Sequence, residues 1–177
     1  MKLSEVVSTI LAPAFKYLPS GTDSVAARLL MLVIGLQESK FEHRRQMITK
    51  VVEGKKKMVP EGPAVSFWQF EEGNSVSRGG VWGVLNHFRV GIIAKAVCRE
   101  LGVAPDAHTV WKAMETNDVL AACFARLLLL ADAQKLPAVG DVEGAWKLYA
   151  ERAWRPGKPH KETWAGFYSQ ARKELGV

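Results

Sequence analysis

The stretch that most constrains this chain is Leu29–Leu36, LLMLVIGL, a run without one polar side chain. A helix that is apolar on every side has to be buried on every side. The run falls far short of the roughly 20 residues that a bilayer span requires. It therefore predicts the central helix of a globular core. The run ends on a carboxylate, in the segment Gly35-Leu36-Gln37-Glu38-Ser39-Lys40-Phe41. A carboxyl group at the mouth of such a helix loses hydration, which disfavours its charged form and raises its pKa from about 4.3. The C-terminal end of a helix is also an unfavourable place for a negative charge, so helix stability gives no reason for an acid there. Glu38 is thus the first candidate for chemistry.

The chain has 177 residues, 48% of them hydrophobic. That fits one domain over residues 1–177 and excludes a disordered protein. The N-terminal segment MKLSEVVSTILAPAFKY has one early Lys and an apolar stretch interrupted by Glu5, so it is no clear signal peptide. The expectation is a chain that stays in the cytoplasm until something else releases it. The net charge is +6. It favours a polyanionic partner such as a bacterial cell wall. Nucleic acid is not expected, because the basic residues are scattered and no helix-turn-helix order appears. Lys55-Lys56-Lys57, beside Gly54, reads as an exposed turn. Cys98 and Cys123 fall in helical segments and read as buried thiols. No Cys/His spacing suggests a metal, no Gly-rich loop suggests a nucleotide, and no cofactor is expected.

Most segments read helical. A first amphipathic helix covers residues 4–17, bent near Pro13. A second, capped by Thr22 or Ser24, runs to about Lys40. Between Gln46 and Ser77, the β-prone runs ITKVV and AVSFWQF predict a small hairpin lobe, followed by a glycine-rich mobile loop up to Gly80. Helices resume near Val81 and Gly91. Asn117 caps a helix through Leu130, and Asp141 caps another through about Ala153. Arg155-Pro156-Gly157-Lys158-Pro159 forces a turn, and a last helix covers residues 163–175. The fold class is α+β, mainly α-helical, with a β-hairpin lobe on one side.

Three motifs carry a family resemblance. Glu38-Ser39 at the end of an apolar helix, in GLQESKF, is one. Gly62-Pro63-Ala64-Val65-Ser66-Phe67-Trp68-Gln69 is the second, similar to Gly-Ala-x-Gly-Leu-Met/Trp-Gln. Leu148-Tyr149-Ala150 is the third, similar to part of Tyr-Asn-Ala-Gly. In this order they resemble the soluble lytic transglycosylases and goose-type lysozymes, of lysozyme-like fold. Ser66 stands where that family has Gly, Pro63 splits its Gly-Ala pair, and no Asn follows Tyr149. Segments such as QESKFEHRRQ and WRPGKP also resemble small proteins of tailed bacteriophages.

The resemblance implies cleavage of the β-1,4 bond between N-acetylmuramic acid and N-acetylglucosamine in peptidoglycan, with Glu38 as the catalytic residue. Glu38 would protonate the bridging oxygen and then take the proton of the muramic 6-hydroxyl, giving a 1,6-anhydromuramoyl end. The implied partners are glycan strands and other virion or tail proteins. The implied location is the virion, or the host cytoplasm before release as an endolysin. Hydrolysis on the same fold, or an inactive wall-binding virion protein, are the alternatives. The candidate substrate-binding residues are Ser39, Trp68, Gln69, Glu71 and Tyr149. Flat aromatic faces pack on pyranose rings, and an amide bonds acetamido groups. Trp68 reads equally as a core residue. Hydrolysis usually needs a second carboxylate roughly 5–9.5 Å from the first. Glu71 is the candidate for it, whereas Glu53 and Glu72 read as solvated loop acids. Arg155 and Lys158 suit a peptide stem or a phosphate, or simply a rigid turn. Trp82, Trp111, Trp146, Trp154 and Trp164 read as core.

Overall fold

The computed structural model describes all residues, Met1–Val177. Eight helical segments and one two-stranded antiparallel sheet form an α+β, mainly helical fold. They are α1 (Leu3–Ala14), α2 (Val25–Ser39), β1 (Ile48–Val52), β2 (Lys55–Val59), α3 (Gly80–Asn86), α4 (Gly91–Glu100), α5 (Ala107–Met114), α6 (Asp118–Ala131), α7 (Val142–Lys147) and α8 (Lys161–Leu175). The middle of α1, Val6–Leu11, has π-helical register, and α7 continues as a π-helical turn over Leu148–Ala153. No single helix is long and apolar enough to cross a membrane.

As the apolar run requires, α2 is the axis of the core. Every residue from Leu29 to Leu36 is buried. Ser24 caps its start by accepting from the Ala27 N–H at 3.1 Å. Helix α8 lies along it, and the Gln37 side chain joins the two ends by donating to the His160 carbonyl and accepting from the Thr163 hydroxyl. Helix α6 closes the other side, with Leu120–Leu127 buried, including the Arg126 side chain, which donates to the Thr22 carbonyl. Asn117 and Asp141 cap α6 and α7 as the sequence indicates.

The hairpin differs from the expected pairing. ITKVV pairs with KKKMV, Ile48 opposite Val59 and Val52 opposite Lys55, around a Glu53-Gly54 turn in which both φ are positive (52° and 73°). Two left-handed residues suit the right-handed twist of a two-residue hairpin. The lysine triplet is therefore strand rather than turn. Like charges face each other at Lys50 and Lys57, and Glu61 and Glu53 neutralise them. AVSFWQF is not a strand, because Ser66 and Gln69 take left-handed backbone (φ 67° and 50°) and turn the chain twice. Val65 and Phe70 bond each other across that turn, 2.9 and 2.8 Å. The segment is buried against α2 instead of being laid on β1.

Helix α5 was not foreseen. Asp106 caps it, and Val110 and Met114 one turn apart bury its inner face. It receives the segment after α2: Arg45 forms a two-pronged bond to Glu115 and lies over Trp111, while Arg44 does the same with Asp118 at the start of α6 and lies over Phe67. The glycine-rich loop before α3 is drawn closed at its neck. Val81 and Trp82 donate to the Glu71 and Glu72 carbonyls, and a Cβ on Gly73 would lie 1.9 Å from the Gly79 carbonyl oxygen.

Candidate active site

Helix α2 ends at Ser39 with Lys40 and Phe41 both in left-handed backbone (φ 53° and 55°). Two such residues reverse the chain at once, and the Phe41 ring swings back under the helix. A Cβ on Gly35 would lie 2.2 Å from that ring, so only glycine lets it seat there. Phe41 meets the edges of Phe67 and Trp68, with centroids 5.5 and 5.8 Å away. The Ser39 hydroxyl donates to the Phe67 carbonyl at 2.7 Å and accepts from the Phe41 N–H at 3.1 Å. Its hydroxyl joins the helix end to the 65–70 turn, and Ser39 also lines the smaller of the two openings beside Glu38.

Glu38 is half-buried on this locked helix end. Its one side-chain hydrogen bond is from Tyr149, whose hydroxyl donates to Oε1 at 2.9 Å. Loss of water pushes the carboxyl pKa up from 4.5 to about 7, against the smaller lowering effect of the tyrosine bond. Tyr149 itself is raised well above the ordinary tyrosine range by burial and by the neighbouring carboxyl, so it remains a donor. The tyrosine comes from the π-helical turn, a form of helix frequent at functional sites. Its carbonyl accepts from both Trp154 and Arg155, and its ring stacks on Trp164 at 4.9 Å.

Glu38 stands where two openings meet. A cleft of about 860 Å³ lies between the 69–87 segment and the 128–132 and 152–158 segments, and a smaller one of about 330 Å³ runs along residues 37–47. Glu38, Gln46 and Gln69 line both. A chain-like ligand lying through both openings therefore passes over the Glu38 carboxyl. Gln69 gives its amide N–H groups to the Ser66 and His43 carbonyls, at 2.7 and 3.4 Å, which leaves its carbonyl oxygen as a free acceptor.

Trp68 does not line either opening. It is fully buried, and its indole N–H donates to the Met31 carbonyl at 2.9 Å. It is a core residue, and the assignment of a sugar platform to it is corrected. Trp154 is the tryptophan that lines the larger opening. Read from sequence as core, it is half-exposed on the cleft wall, packed edge-on against Phe70 and held by a bond from its indole N–H to the Trp68 carbonyl. No local signal in the sequence separates it from Trp68, because both rings stand beside turns.

The other cleft carboxylates are Glu71 and Asp132. Asp132 is bound by Arg152 at 2.9 Å, whereas Glu71 is exposed and has no ion-pair partner. Glu53 pairs with Lys57 in the hairpin, and Glu72 with His108, as expected of loop acids. Cys98 and Cys123 are buried free thiols, pushed up to about 11 and about 12 by lost hydration. No group of three His, Cys, Asp or Glu side chains is placed to hold a metal ion. No protein-family model, curated protein or solved structure matches the chain.

A carboxyl half-protonated near neutral pH can give a proton and take it back. If the first, proton-donating step limits the reaction, the rate falls as pH rises through about 7. Tyr149→Phe removes the one bond that favours the ionised form. The falling limb should then move to higher pH, with the maximal rate lower by about 10–10²-fold because the carboxyl is less firmly held. Parallel pH–rate profiles of the two proteins measure both effects.

Proposed function

We propose that this protein cleaves the β-1,4 bond between N-acetylmuramic acid and N-acetylglucosamine in peptidoglycan, as a lytic transglycosylase with Glu38 as acid and then base. The observation that carries this reading is the Glu38 carboxyl, desolvated and tyrosine-bonded, at the junction of two openings. In the first step Glu38 protonates the bridging oxygen as the glycosidic bond breaks. In the second, the ionised carboxylate accepts the proton of the muramic 6-hydroxyl while its oxygen bonds to the anomeric carbon. No water is consumed, and one carboxyl group suffices.

Two further observations support the lysozyme-like resemblance. Tyr149, from the third motif, reaches the glutamate of the first. Ser66, which replaces a motif glycine, has φ 67°, so the backbone conformation that favours glycine is kept. The serine hydroxyl stabilises the turn by accepting from the Trp68 N–H at 3.2 Å.

Glu71, a free carboxylate in the same cleft, favours hydrolysis as a second reading, with Glu71 guiding a water. Digestion of purified sacculi followed by mass analysis of the fragments separates the two. Transglycosylation is expected to give anhydromuramoyl ends, one water lighter than the reducing ends of a hydrolase. Wall binding without any released fragment would leave only a docking protein.

A further inference from the structure

The corner between α3 and α4 exposes apolar side chains that no packing inside the protein explains. The two helices meet at 106°, and the chain turns between them over residues 87–90. The Arg89 N–H donates to the His87 Nδ1 at 3.2 Å, and the Gly91 N–H to the His87 carbonyl at 2.8 Å. Leu85 and Val90 belong to the core and are buried. Phe88 between them turns the other way. It is 88% exposed, with its ring stacked on that of His87, centroids 4.8 Å apart. Ile92, one helical turn further on, is 82% exposed. Single exposed apolar residues need no explanation, but two large ones side by side at a projecting corner do.

The charge around this pair has one sign. Arg89 flanks Phe88, and Lys95 and Arg99 follow Ile92 on the outward face of α4, opposite the buried Ala94, Val97 and Cys98. None of the three cations is in an ion pair. The segment 86–100 contains one acid, Glu100 at its far end. A second copy of the chain seated on this face would set cations against cations. A convex corner also offers a rigid protein partner little area, whereas a layer of lipid headgroups closes around it. Arginine and lysine stems lie along such an apolar surface while their charged ends reach phosphate.

We propose that this corner docks the protein on a bilayer surface rich in anionic phospholipid. Phe88 and Ile92 enter the headgroup layer, and Arg89, Lys95 and Arg99 meet the lipid phosphates. The inner faces of both helices are held in the core, so the pair lies on the bilayer and does not cross it. His87, beneath the Phe88 ring, also lines the larger opening, so docking holds the mouth of the cleft close to the lipid surface. The inference stands apart from the glycan-cleaving reading.

The test is flotation of the full chain with vesicles, read as protein recovered with lipid and needing no cleavage. One set holds equal parts of phosphatidylglycerol and phosphatidylethanolamine; the other is phosphatidylcholine alone. The wild type is compared with Phe88→Ser/Ile92→Ser and with Arg89→Gln/Lys95→Gln/Arg99→Gln. Lys55→Gln/Lys56→Gln/Lys57→Gln in the hairpin removes as many charges elsewhere. All these side chains reach solvent, and thermal unfolding checks that each variant folds. At low salt the wild type is expected to bind the anionic vesicles at least about 10-fold more tightly than the neutral ones, less so as salt rises. Each corner variant should weaken that binding by about 10-fold or more, and the hairpin variant far less. Absence of wild-type binding to anionic vesicles, undiminished binding by the corner variants, or an equal loss in the hairpin variant would overturn the proposal. Self-association that Phe88→Ser/Ile92→Ser abolishes, without vesicle binding, would assign the face to a second copy and overturn it as well.

Discussion

Glu38→Gln is expected to lower peptidoglycan cleavage by about 10²–10⁴-fold and, at the same time, to stabilise the protein above neutral pH. The two effects share one cause. The folded state holds the carboxyl in a poorly hydrated place with a pKa of about 7 against an ordinary 4.5. Between those values the folded protein binds more protons than the unfolded chain, so its stability declines as pH rises across that window. Below about 4.5 the penalty is absent; above about 7 it is complete. Glutamine carries no charge to desolvate and still accepts from Tyr149. At pH 8 the variant should be more stable by about 1–3 kcal/mol, and at pH 4 nearly equal to the wild type. Chemical denaturation at the two pH values and turbidity loss of purified walls measure the pair. A surface acid at this position would change neither, and a merely structural one would lose stability.

Trp68→Ala is expected to destabilise the fold by about 3–5 kcal/mol. The side chain is fully buried between α2 and the 65–70 turn, and its indole N–H satisfies the Met31 carbonyl. Truncation removes that bond, the aromatic edge against Phe41, and the packing beneath the helix end that carries Glu38. A domain of this kind is stable by about 5–15 kcal/mol in all, so the loss is a large share. Trp154→Ala should behave differently, because that ring is half-exposed on the cleft wall. It is expected to raise KM while changing stability by less than half as much. Equilibrium denaturation of both variants makes the comparison. A Trp68→Ala protein of undiminished stability would contradict its place in the core.

The site was legible to different degrees along the chain. The burial of Leu29–Leu36 and the exceptional position of Glu38 follow from composition and helix electrostatics, which are local properties. The caps Asn117 and Asp141, and Ser24 as one of two candidates with Thr22, were readable for the same reason. The partner of ITKVV was not, because β propensity says which residues favour extended backbone and not which strand they meet. AVSFWQF has the more apolar sequence, yet left-handed backbone at Ser66 and Gln69 withdraws it from pairing, and neither residue advertises that conformation. Trp68 is covered, whereas Trp154, which reads as core, lines the cleft. Both are tryptophans next to turns, and only the packing of a segment against α2 decides which ring is covered. Tyr149 was a weak motif in the sequence. Its contact with Glu38 depends on the π-helical turn, which shifts the register of residues after Lys147 and which hydrophobic periodicity does not reveal.

The claim on which everything else depends is that the Glu38 carboxyl keeps its proton close to neutral pH. The most direct measurement is the titration of its side-chain carboxyl carbon by NMR in uniformly ¹³C-labelled protein, assigned by its absence in Glu38→Gln. The account predicts a midpoint of about 7. A midpoint near 4.5, the ordinary value for a hydrated glutamate, would contradict it.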